Sequence, residues 1–264
     1  MNCINCGAEV QGKFCSQCAQ PSPPKKLSFG NLYHDFQARI YGFDGMFPRT
    51  LKDLTIHPGP ASRCFIEGNR VLYYGPVGYF FLMITLMLLI AEILSVDLVA
   101  FMKSASETFQ TVKPGKGQAQ FQKMVLQFSS DNIKLFSFAI IPIQAFVSRY
   151  IFFRKSGLTF LEQSVLPFYL QGHMYWLSIF ALIYFKISGV YFPNDIMVVM
   201  MILYFSYGQM SFFTHQSKVK AFLKGFGVYA VSMIFFTIIV AIVTIIIVIN
   251  NKEVYDLVKP SNNK

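Results

Sequence analysis

Arg49-Thr50-Leu51-Lys52-Asp53-Leu54, His57-Pro58-Gly59-Pro60 and Ile66-Glu67-Gly68-Asn69-Arg70 lead into an apolar run from Pro76 to Val96 whose only formal charge is Glu92. Before this stretch the chain is polar and basic, and after it the chain is mostly lipid-soluble. At about 1.5 Å rise per residue, such a run crosses a hydrocarbon core of about 30 Å, which predicts a transmembrane helix rather than a buried core helix. Pro76 falls in the first turn, where its missing N–H costs nothing.

Toward the carboxyl terminus four further spans are expected, at about 133–153, 165–187, 193–213 and 226–249, each bounded by charged or turn residues. A re-entrant pair formed by 165–187 and 193–213 is the alternative reading of those two segments. Asp131-Asn132 is expected to cap the second span, and Lys218, Lys220 and Lys224 separate the fourth from the fifth. The composition agrees: 54% hydrophobic and 14% charged residues, with a mean hydropathy of +0.45, lie outside the soluble range. Between the first two spans, residues 97–132 carry two amphipathic patterns around Pro114-Gly115-Lys116-Gly117 and predict an external helical hairpin.

A net charge of +10 would suggest nucleic acid in a soluble protein, but here Lys and Arg report topology, and no nucleic-acid partner is expected. With five spans, 14 of the 23 Lys and Arg fall on the amino-terminal side of the membrane and 9 on the other. The amino terminus is therefore expected in the cytoplasm and the carboxyl terminus outside. The amino terminus lacks the basic-then-apolar order of a signal peptide, so the head is expected to stay where it is made.

That head, residues 1–20, contains Cys3-Ile4-Asn5-Cys6 and Cys15-Ser16-Gln17-Cys18. Two Cys-x-x-Cys pairs separated by eight residues can close a tetrahedral four-sulfur shell, which points to one structural zinc per chain held by Cys3, Cys6, Cys15 and Cys18. Four protein ligands leave no open position, which argues against zinc catalysis. A Pro-rich linker follows at 21–27, then amphipathic approach helices over 28–75, beginning with an apolar stripe from Phe29 to Ile40. The bundle occupies 76–250 and a polar tail 251–264.

The order Arg-Thr-Leu-x-Asp-Leu, Pro-Gly, then Ile-Glu-Gly-x-Arg-x-x-Tyr-x-x-Pro behind a four-Cys ribbon resembles an uncharacterised bacterial family of zinc-ribbon-headed multipass membrane proteins, a domain-of-unknown-function family. The matching positions are Thr50, Leu54, Pro58, Gly59, Gly68, Arg70, Tyr73 and Pro76. The resemblance implies an architecture and a bacterial inner-membrane location. It implies no activity.

The expected fold class is thus an all-α integral membrane protein of about five transmembrane helices, with a small zinc ribbon and amphipathic interfacial helices. Arg63 and Arg70, beside Tyr73 and Tyr74, are expected at headgroup level, as bilayer anchors or as an anionic-lipid site. Of the polar residues inside the spans, Gln171 and His173 lie two apart and project on different faces of one helix, so no joint site is expected. His173 reads as an interhelical hydrogen-bond partner, with a proton relay as the alternative. No paired carboxylates, nucleophile motif or phosphate loop occurs. The favoured role is a non-enzymatic adaptor or assembly factor whose ribbon contacts a protein partner; the alternative is a small transporter or lipid-handling protein.

Overall fold

The computed structural model describes residues 2–3, 6–18, 46–70, 72–107 and 116–250. The expected linker 21–27, the amphipathic stripe 29–40, residues 114 and 115 of the hairpin turn and the polar tail 251–264 lie outside the described residues. Two compact units are present, Met1–Pro48 and Arg49–Lys264. In the first, Cys3 N–H donates to the Ala8 carbonyl and Gly7 N–H to the Cys3 carbonyl, with Gly7 at φ +75°, where a glycine is favoured. Cys3, Val10 and Cys15 form its small core.

The second unit is all-helical among the described residues. Its helices are α1 (Met46–Ile56, whose first turn falls in the first unit), α2 (Pro58–Ile66), α3 (Pro76–Ile93), α4 (Leu98–Glu107), α5 (Lys116–Asp131), α6 (Ile133–Val147), α7 (Phe160–Ser188), α8 (Asn194–Phe212) and α9 (Lys218–Asn250). A single π-turn, Ser148–Phe152, extends α6. Among the described residues, four stretches are long and apolar enough to cross a membrane: Pro76–Ile93, Ile133–Phe152, Asn194–Phe212 and Lys218–Thr244. Asn132 precedes α6 without capping it; its side-chain amide turns back to the Phe128 carbonyl and closes the end of α5 instead.

The 165–187 segment falls in α7, a continuous helix of 29 residues, about 43 Å at 1.5 Å per residue. Its ends are well defined. Thr159 and Glu162 form a reciprocal capping box, and Gly189 at φ +71° donates its N–H to the Phe185 carbonyl. This helix packs against α2, α3, α6 and α8, which makes it the centre of the unit. Gly172 allows the close approach to α3, since a Cβ there would sit 3.0 Å from the Phe80 Cα.

Segments 46–56 and 58–66 do not lie out along a surface. The proline at 58 disfavours helix at the residue before it, so His57 (φ −134°, ψ 56°) breaks the chain into α1 and α2. Thr50 and Leu54 of α1, and Pro58, Gly59, Ala61 and Ser62 of α2, are buried, with α2 wedged against α7 and α8. At Gly59 the two backbones meet: a Cβ there would fall 2.2 Å from the Ser211 carbonyl carbon, and Gly59 N–H donates to Ser211 Oγ at 2.9 Å.

Gly59→Ala must therefore push α2 off α8. We expect a loss of about 1–3 kcal/mol or more in detergent-solubilised unfolding, in the range of overpacked cores. Gly75→Ala, at φ −58° with no atom within 4 Å of the added methyl, is the neutral control. Equal stability of the two variants would show that the contact does not hold α2.

Candidate functional site

In the head, all four cysteine sulfurs lie within 4.8 Å of one another, with Cys3 Sγ to Cys18 Sγ at 3.5 Å and Cys6 Sγ to Cys15 Sγ at 3.6 Å. A disulfide would bring two sulfurs to about 2.05 Å. A tetrahedral thiolate shell with metal–sulfur bonds of about 2.3 Å has edges of about 3.8 Å, so the four can hold a metal ion. The backbone N–H groups of Cys18 and then Gln17 address the Cys15 sulfur and hold its thiol below the ordinary value.

Within the bundle, His173 has a partner at each ring nitrogen. Its Nε2 lies 3.1 Å from Thr55 Oγ1 and its Nδ1 2.9 Å from the Tyr79 hydroxyl. Thr55 has one proton, and it donates that to the Leu51 carbonyl at 2.8 Å. Thr55 must then accept from His173 Nε2–H, which leaves Nδ1 to accept from Tyr79 O–H. A neutral imidazole satisfies every group and joins α1, α7 and α3. This arrangement favours the interhelical role over the relay, since protonating Nδ1 would displace the Tyr79 donor.

The carbonyls that α1 leaves unpaired at its last turn are met from α8. Tyr204 O–H donates to the Leu54 carbonyl at 3.0 Å and Tyr207 O–H to the Ile56 carbonyl. The Tyr204 ring also lies 5.4 Å from the His173 ring. Further along, Thr50 Oγ1 accepts from Tyr74 N–H at 2.8 Å, and the Tyr74 carbonyl accepts from the Tyr169 hydroxyl at 2.7 Å.

Gln171 is half-buried and takes no part in this network, as its place on another helix face requires. Thr55, Tyr79 and Tyr204 were not singled out by sequence reasoning. Tyr79 and Tyr204 did leave a signal: a hydroxyl inside an apolar helix needs a partner. Arg63 and Arg70 are not brought to one site. Arg63 donates to Thr214 Oγ1 at 2.9 Å and lies 5.5 Å over the Phe212 ring, whereas the exposed Arg70 lies 5.7 Å over Phe65.

A family model described as "Protein of unknown function (DUF3667)" matches residues 44–88. This stretch fits an uncharacterised family. No curated protein and no solved structure matches the chain. The matched stretch contains α1, α2 and most of α3, and seven of the eight pattern residues in it have packing tasks. Thr50 binds Tyr74 N–H, Leu54 is fully buried, and Pro58 and Pro76 open helices. Gly59 meets the Ser211 backbone, Gly68 adopts φ +105°, and Tyr73 donates to Asp53 Oδ2 at 2.9 Å. Arg70 is the exception.

Two outcomes follow from this geometry. Thr55→Val and Tyr79→Phe should each cost about 0.5–2 kcal/mol, and neither should add its full cost in a His173→Leu background. Full additivity in a double-mutant cycle would dissolve the network. Burial, and next the Asp53 carboxylate, push the Tyr73 hydroxyl up to about 12 from its ordinary 10. The folded state thus favours the protonated phenol. Its stabilisation is present below pH about 10 and lost as pH rises toward about 12. The tyrosinate absorbance of the wild-type chain minus that of Tyr73→Phe should rise near the upper value; a midpoint at the ordinary value would remove the contact.

Proposed function

We propose that the chain is a five-span membrane protein whose head carries a structural zinc ion on the cytoplasmic side and acts as a non-enzymatic adaptor, with the head docking a protein partner. The sulfur tetrahedron carries this reading: a shell closed by four cysteines suits a folding element and leaves no coordination position for a substrate. Zinc suits such a four-sulfur site, and a reducing compartment keeps the thiolates available. Docking is supported by Phe14, a large apolar side chain 63% exposed beside the cluster.

The fifth span is α7. It packs against α2, α3, α6 and α8, and its buried Gln163 and His173 face protein. An odd number of crossings supports opposite compartments for the two ends. The orientation is supported by the connections at 153–159 and 213–217. They are drawn to one end of the bundle by the Phe153–Phe213 stack, with centroids 3.7 Å apart, and these regions carry Arg149, Arg154, Lys155, Lys218, Lys220 and Lys224. Lipid handling by the bundle is the second reading, favoured by the basic cleft taken up below.

Purified protein should contain one zinc per chain, and Cys6→Ser or Cys15→Ser should lose it together with the head's resistance to proteolysis. Deleting residues 1–20, or replacing Phe14 with Ala, should abolish partner capture from native membranes while leaving the bundle folded. Capture that survives the deletion would refute the adaptor role. Reporter tags placing both termini in one compartment would refute five spans.

A further inference from the structure

The cations that gather at one end of the bundle include a set that encloses a cavity. Between the carboxyl-terminal end of α2, the 153–159 connection and the 213–217 connection lies a cleft of about 340 Å³. Its floor is apolar, formed by Ile66, Leu158, Phe212 and Phe213. Arg63, Lys155 and His215 stand on its walls. An apolar floor under clustered cations is a shape that neither free water nor a plain acyl chain satisfies.

Two of the donors, Arg63 and Gln216, are held in place. The Arg63 guanidinium is fixed by the Thr214 hydroxyl, a neutral acceptor that leaves its positive charge uncompensated, and by the face of Phe212. Lys224 Nζ donates to Gln216 Oε1 at 2.8 Å, which commits that oxygen and leaves the Gln216 amide N–H groups on the cleft wall as donors. Glu67 is the one carboxylate on the lining. It opposes a multiply charged anion and favours a singly charged group that also carries hydroxyl or ammonium donors. A planar guanidinium beside an ammonium is the usual recognition set for phosphate oxygens.

We propose that this cleft binds the phosphate group of an anionic amphiphile, with Arg63 and Lys155 on the phosphate oxygens and the start of an apolar chain against Phe212, Phe213 and Leu158. The site replaces the pairing of Arg63 with Arg70: Arg70 is not on its lining, and Lys155 and His215 come from connections more than 80 residues further along the chain. The proposal rests on reading the helices as membrane spans, and it is independent of the head.

The full chain, delipidated in a non-ionic detergent, is titrated with dioleoyl phosphatidylglycerol and bound lipid is read by native mass spectrometry. Dioleoylglycerol, which lacks the phosphate, is the chain-only arm. Saturable binding of the phospholipid is expected, at least about tenfold tighter than that of dioleoylglycerol. Arg63→Gln with Lys155→Gln should weaken it at least about tenfold, the scale of one lost charge-assisted contact. Lys218→Gln with Lys220→Gln removes equal charge from the same end but outside the cleft and should leave binding unchanged. Competition by inorganic phosphate separates the sources: displacement assigns the site to free phosphate, and its failure assigns it to a lipid headgroup. Wild-type affinity in the Arg63/Lys155 variant, an equal loss in the Lys218/Lys220 control, or equal affinity for dioleoylglycerol would overturn the proposal. None of these outcomes bears on whether the head docks a partner.

Discussion

The backbone of α2 rests on the backbone of α8 at Gly59 and Ser211, and the rest of the site is built outward from that contact. Helices separated by side chains stand about 8–10 Å apart, too far for short polar groups to bridge. With no side chain at 59, α2 seats deeply enough that the end of α1 meets α8, where Tyr204 and Tyr207 supply hydroxyls to its last carbonyls. Thr55, one residue before the end of α1, is thereby held at His173. The imidazole in turn fixes Tyr79 and so the first turn of α3. His173 and Tyr79 are buried, so the bond between them satisfies groups that would be costly to leave unpaired.

The centre of such a bundle need not read as the most apolar helix. A helix facing lipid must be oily around most of its circumference, and α9 has that composition, with Ile234, Ile238, Ile239 and Ile242 exposed. A helix covered by its neighbours can carry amides and an imidazole where partners exist. In α7, Gln163 donates to Ser148 Oγ at 2.8 Å, and His173 is saturated from two other helices. Polar residues covered by neighbouring helices lower a helix's hydropathy without leaving a polar group uncovered, and α7 is not among the four described helices that are long and apolar enough to cross a membrane.

This distinction also decides what could be read in advance. The apolar runs, the proline at the start of α3 and the left-handed glycine ending α2 all follow from local chemistry, and local chemistry is written in sequence. The four cysteines were legible for the same reason, since their spacing alone brings them together. The partners of His173 were not: Thr55 and Tyr79 lie 118 and 94 residues away, and no periodicity encodes a meeting at that separation. Arg63 and Arg70 show the converse. Nearness in sequence suggested a shared site, but α2 ends between them, and Gly68 at φ +105° turns the chain so that one side chain reaches Thr214 and the other returns to Phe65.

The head and the bundle solve the problem of stability by different means, and the difference bears on what each can do. A bundle of long helices buries enough apolar surface to hold polar side chains in fixed positions, as the closed hydrogen-bond chain from Tyr79 through His173 and Thr55 to Leu51 shows. Some twenty residues cannot bury a comparable core, so the proposed metal ion must stand in for one. Sulfur–metal bonds are short and leave little room for other side chains beneath them. Val10 finds cover against Cys3 and Cys15, and Phe14 does not. If a metal ion makes the head rigid, a contact made through the exposed ring would lose less backbone entropy on binding.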